Sequence, residues 1–241
     1  MRLPPLTSLI RVGAGVVAGV ANSNFLLAGV VGSRVDLAVG VISELSVAGQ
    51  PGAGSFRLGD GLAGALTTLL GVALLRERVG SGGPRDPGTG QVHRGLRAAC
   101  LLAFGVGTLV SALVPLTCAP SLGPCPASSA GPELVHDGIS VLATTGAVVG
   151  GLELVWRLRR RLGTPLGVLA IVSILGSAGA GLVQVVSFLG GGSGGGGTSQ
   201  RLQVLAVSLW ILLEVCSGVS PTPAAETAPR TRARRAGPRV R

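Results

Sequence analysis

Phe56-Arg57-Leu58-Gly59-Asp60-Gly61-Leu62-Ala63-Gly64-Ala65-Leu66-Thr67-Thr68-Leu69-Leu70-Gly71-Val72-Ala73-Leu74-Leu75 decides the fold. Its only charged residues, Arg57 and Asp60, fall at its beginning, and an apolar helix of this length crosses a hydrocarbon core of roughly 30 Å. Comparable apolar runs cover about 12–32, 96–116, 133–156, 166–189 and 202–219. Hydrophobic residues make up 47% of the chain and charged ones 12%, with a mean hydropathy of +0.61. These values exclude an ordinary soluble domain. The expected fold is an all-α integral membrane protein, with six transmembrane helices in one bundle over 1–219. The Pro-, Thr- and Arg-rich stretch 220–241 is too polar to bury a core and is expected to be a disordered cytoplasmic tail.

The charge pattern gives the orientation. Every basic residue is Arg, a usage that points to a GC-rich genome and not to a mechanism. Arg2, Arg11, the five Arg from Arg76 to Arg97, the four from Arg157 to Arg161 and the six in the tail all fall on one side of the six runs. Only Arg34, Arg57 and Arg201 fall on the other. The positive-inside rule then makes both termini cytoplasmic and turns the loops at 33–55, 117–132 and 190–200 outward. An even number of spans agrees. Gly19-Val20-Ala21 has the small residues of a signal-peptide cleavage site, but the apolar run resumes at Phe25 and favours a retained first span. The partners this implies are the lipid bilayer and, at the cytoplasmic Arg residues, anionic lipid heads. The net charge of +10 does not indicate nucleic acid, because aromatic residues are only 2% and Tyr is absent. The sequence specifies no protein partner.

The outward-facing ionisable groups are the candidate site. Arg57 and Asp60 lie one turn apart at the mouth of the second span, where an ion pair and a ligand contact are both open readings. His136-Asp137 opens the fourth span from the same side, with Glu133 before it and Ser140 on the face of His136. With Glu44 these give an outer set of Glu44, Arg57, Asp60, His136 and Asp137, which would bind a lipid headgroup, another small polar ligand or a partner. A mixed metal set of His136, Asp137, Asp60 and Glu44 is conceivable, but the other histidine, His93, lies on the opposite side, so no metal or cofactor is assigned. Cys118 and Cys125, seven positions apart in one outward loop, read as a disulfide. Within the spans, Asn22, Ser23, Asn24, Gln184 and Glu214 either bond neighbouring helices or line a polar path. Glu153 and Arg157 have the spacing of a helical ion pair, and Gly105, Gly107 and Ser111 would permit close helix approach. The Gly-rich run 190–197 has no Gly-Lys-Ser/Thr after it and is not a phosphate loop. No nucleophile elbow or zincin motif is present.

Ser43-Glu44-Leu45-Ser46, Gly49-Gln50-Pro51, Phe56-Arg57, Asp60-Gly61-Leu62-Ala63-Gly64, Val114-Pro115 and His136-Asp137 with Ser140 together resemble an actinobacterial member of the six-span membrane family termed domain of unknown function 998. The resemblance covers roughly 10–218 and leaves out the tail. It implies a six-helix bundle without an established activity. The family often carries an acid just after the proline that ends the third span. Here the stretch is Leu116-Thr117-Cys118, which weakens any metal or acid-base chemistry. The leading expectation is thus a non-enzymatic membrane protein with an outer polar pocket. A small-solute transporter and an outward-facing hydrolase are the alternatives.

Overall fold

The computed structural model describes residues 6–80, 89–189 and 196–217. Among these the chain forms six α-helices and no strand: α1 (Leu6–Asn22), α2 (Ala53–Gly80), α3 (Thr89–Leu113), α4 (Ala130–Arg157), α5 (Pro165–Leu189) and α6 (Gly196–Ser217). Five segments are long and apolar enough to cross a bilayer, namely Ala53–Glu77, Val92–Leu113, Ala127–Arg157, Pro165–Val186 and Gly196–Ser217; α1 is a shorter apolar helix. The expected tail at 220–241 lies outside the described residues.

Each helix packs on the next in sequence, and α6 returns to α1 while also touching α4. α6 is therefore the inward element. It buries Val207, Trp210, Ile211 and Leu213 together with the polar residues Gln203, Ser208 and Glu214. Trp210 stands edge-on to Phe104 with ring centroids 5.9 Å apart, and its indole fills the space where Gly150 has no Cβ. Leu134, Val141 and Leu152 of α4 and Leu175 and Leu182 of α5 are exposed instead, as the bilayer requires of an outer surface.

Backbones approach most closely between α2 and α3. A Cβ on Gly105 would come within 2.5 Å of the Thr68 amide nitrogen, and one on Gly64 would strike the Leu109 backbone. Gly107 faces Ala143 on α4 in the same way. Small residues here allow dispersion contacts that larger side chains would hold apart.

The first apolar run departs from a single continuous helix over 12–32. α1 ends at Asn22, and a 3-10 turn at Asn24–Leu27 follows. The cause is three adjacent polar side chains whose partners lie on two other helices. Asn22 Nδ2 donates to Ser208 Oγ at 2.9 Å and to the Val204 carbonyl at 3.3 Å. Ser23 Oγ lies 3.0 Å from Ser208 Oγ. Asn24 Nδ2 turns instead to α2, donating to the Phe56 carbonyl at 2.9 Å and to Asp60 Oδ1 at 3.0 Å.

Candidate functional site

The five candidate residues Glu44, Arg57, Asp60, His136 and Asp137 are not gathered into one site. Glu44 sits in a 3-10 helix, Ile42–Ser46. Its Oε1 accepts the Val41 amide at 3.2 Å, while Oε2 accepts the Ser121 amide at 3.2 Å and the Ser121 hydroxyl. It thereby joins the loop between α1 and α2 to the loop that contains Cys118 and Cys125. Gly49 and Gly52, which flank the Gln50-Pro51 turn after it, adopt φ of +87° and +75°, conformations that glycine alone takes without cost. Arg57 Nε donates to the Ala112 carbonyl at 3.3 Å, and His136 Nδ1 donates to the Val114 carbonyl at 2.8 Å. Both therefore bind backbone oxygens at the C-terminal end of α3, where helix geometry and Pro115 leave carbonyls without amide partners. Asp60 faces Asn24, and Asp137 is exposed. Among the described residues no hydrogen bond or ion pair joins any two of the five.

The sulfurs of Cys118 and Cys125 are paired, with Cα atoms 5.9 Å apart, an ordinary disulfide separation. Glu133 comes within 4.8 Å of both, the one cluster of metal-ligand type among the described residues. A disulfide offers no thiolate to a metal.

A denser set of charges lies at the other end of the bundle. Glu214 of α6, 1% exposed, receives Arg97 of α3 on its carboxylate and on its own carbonyl. Arg157 of α4 reaches both carboxylate oxygens at 3.1 and 3.0 Å and donates to Ser217 Oγ at 2.9 Å. One acid thus fastens three helices. Beside it Glu153 lies 3.4 Å from Arg157 Nε and 3.7 Å from His93 Nδ1, and neither of its oxygens accepts a hydrogen bond. The His93 ring stacks on Trp156 at 3.7 Å, and the Arg159 guanidinium covers Trp156 at 3.9 Å.

Between α1, α2, α3 and α6 this end encloses a cavity of about 130 Å³. Arg11 and Glu77, paired with each other, form its exposed rim; Arg97 and Glu214 form its buried floor. The remaining wall is mainly leucine and valine. Of the polar residues read as a path, Glu214 alone lines this cavity. Gln184 bonds Gln203 at 2.7 Å, so Asn22, Asn24, Gln184 and Glu214 each serve a different helix contact.

Sequence reading found Glu214 and the Glu153–Arg157 pair but did not bring Arg97 to them. The available signal was the lone acid itself: a carboxylate in an apolar run at the Arg-rich end needs a cation from another helix.

A multi-pass helical membrane protein is the class this bundle defines. The chain belongs to the family DUF998, described as a protein of unknown function, whose model matches residues 12–215. Neither curated proteins nor solved structures gave a significant match.

Proposed function

We propose that this is a non-catalytic, six-span protein of the cell membrane that binds a small polar ligand of lipid-headgroup type in the cavity between α1, α2, α3 and α6. In this reading α1 counts as the sixth span, and the Arg-rich end, with both termini, faces the cytoplasm. The outer disulfide loop then meets an oxidising compartment. One observation carries the site: the cavity joins four charged side chains to an apolar wall of Leu70, Leu74, Leu101 and Val215, the combination that an amphiphile needs. Glu44, Arg57 and His136 serve as structural ties at the opposite end.

The test is thermal unfolding of the detergent-purified protein against a panel of short-chain phospholipids. A headgroup-dependent rise in midpoint is expected, and Arg11→Ala should remove it. If Asp60→Ala or His136→Ala removes the rise in a folded protein while Arg11→Ala does not, the ligand sits at the outer end instead.

A further inference from the structure

We propose that the loop between α3 and α4 holds a redox-gated zinc site, in which Cys118, Cys125 and Glu133 bind one Zn²⁺ when the disulfide is reduced and release it when the disulfide forms. The cavity at the opposite end of the bundle plays no part in it. Both sulfurs and a carboxylate oxygen of Glu133 lie within 4.8 Å of one another, close enough to share one ion. Oε1 of Glu133 is shielded from solvent and accepts no hydrogen bond. A carboxylate oxygen shielded without a donor is costly, and a cation beside it removes that cost.

The donor set selects the metal. Two thiolates suit zinc or copper(I), and the hard carboxylate oxygen favours zinc of the two. Three protein ligands with water in the fourth tetrahedral position is an ordinary zinc arrangement, and all three residues are half-buried, so water reaches the site. Sulfurs bound to one zinc stand roughly 3.8 Å apart, a separation that side-chain rotation supplies once the bond opens, with the Cα atoms still 5.9 Å apart. The loop also has ties besides the bond. Ser121, between the cysteines, donates its amide to Glu44 Oε2 at 3.2 Å and its hydroxyl to the same oxygen. Ser129 Oγ donates to the Pro126 carbonyl at 2.7 Å just before α4, which carries Glu133. A dithiol reductant gives two electrons and two protons to the disulfide and becomes a disulfide itself; Zn²⁺ then displaces the two thiol protons. In reverse, a disulfide oxidant takes two electrons from the zinc-bound thiolates, two protons go to its own sulfurs, and the ion leaves.

The test titrates Zn²⁺, and Co²⁺ as its spectroscopic substitute, into the full chain in neutral detergent, oxidised and after treatment with a dithiol that is removed under anaerobic conditions. The reduced protein should bind one more metal ion per chain than the oxidised protein, with a thiolate-to-cobalt charge-transfer band that the oxidised protein lacks. The oxidised protein keeps both histidines and the free Cys100 and Cys216, so it controls for every other ligand. A disulfide oxidant should release the ion. Glu133→Gln should weaken binding by about tenfold or more, at least what losing a supporting partner of a metal ligand costs. Alkylation of the reduced natural protein before titration should abolish binding, a result that depends on no variant folding. Equal binding by reduced and oxidised protein, or full binding by the Cys118→Ser, Cys125→Ser double variant, overturns the site. Undiminished binding by reduced Glu133→Gln overturns the three-ligand assignment.

Discussion

Glu214 and Glu153 are two carboxylates of nearly equal burial at the same end of the bundle, yet their surroundings assign them opposite weights. Glu214 accepts from both Arg97 and Arg157, so Glu214→Gln takes the carboxylate away from Arg97 and leaves Arg157 with Glu153 alone. A loss of about 3–5 kcal/mol follows, read as a lower unfolding midpoint in detergent. Glu153 accepts no hydrogen bond, and Arg157 keeps its other partner when the charge is removed. Glu153→Gln is therefore expected to stay within about 1 kcal/mol of the natural protein. Glu214 was visible in the sequence as an acid needing a partner, but Arg97 stands 117 positions away, and a helix reveals only its neighbours three and four residues on. Arg57 and His136 were likewise conspicuous as polar side chains at helix mouths. That both would bind the end of α3 depended on how α2 and α4 flank it, which no local spacing encodes.

Among the helices, the contact between α2 and α3 turns on Gly64 and Gly105. Gly105→Val drives a side chain into the Thr68 backbone and must push the helices apart, with an expected cost of about 1–3 kcal/mol in the same unfolding measurement. Gly138→Ala on α4 is the control, because a Cβ there meets no atom within 4 Å; it should be neutral or stabilising by up to about 1 kcal/mol. This level was largely legible. Length and hydropathy located the long apolar helices, and Gly105 and Gly107 of the third run do carry close contacts. Within the first run α1 ends at Asn22 because Asn22 and Asn24 bond α6 and α2, an influence exerted from far along the chain.

For the whole molecule, the native cysteines report orientation. Cys118 and Cys125 lie at one end, and Cys216, exposed, at the other. In intact cells a membrane-impermeant maleimide should modify Cys118 and Cys125 only after reduction, and should reach Cys216 only after permeabilisation. Labelling of Cys216 in sealed cells would reverse the topology. Opening the short disulfide loop should also lower stability by about 2 kcal/mol, seen as a lower midpoint in reductant.

The polar bonds of α6 also bear on biosynthesis. Ser208 meets Asn22 of α1, Glu214 meets Arg97 of α3 and Arg157 of α4, and Gln203 meets Gln184 of α5. α6 is translated after all four, so its ribosomal exit is the moment when their polar side chains lose their status as orphans in lipid. A nascent chain halted before it would expose those groups to the membrane proteolysis that clears unassembled proteins. Synthesis of α6 and escape from degradation thus become one event, and pulse-chase of a chain truncated at residue 195 should show rapid turnover that co-expressed α6 slows.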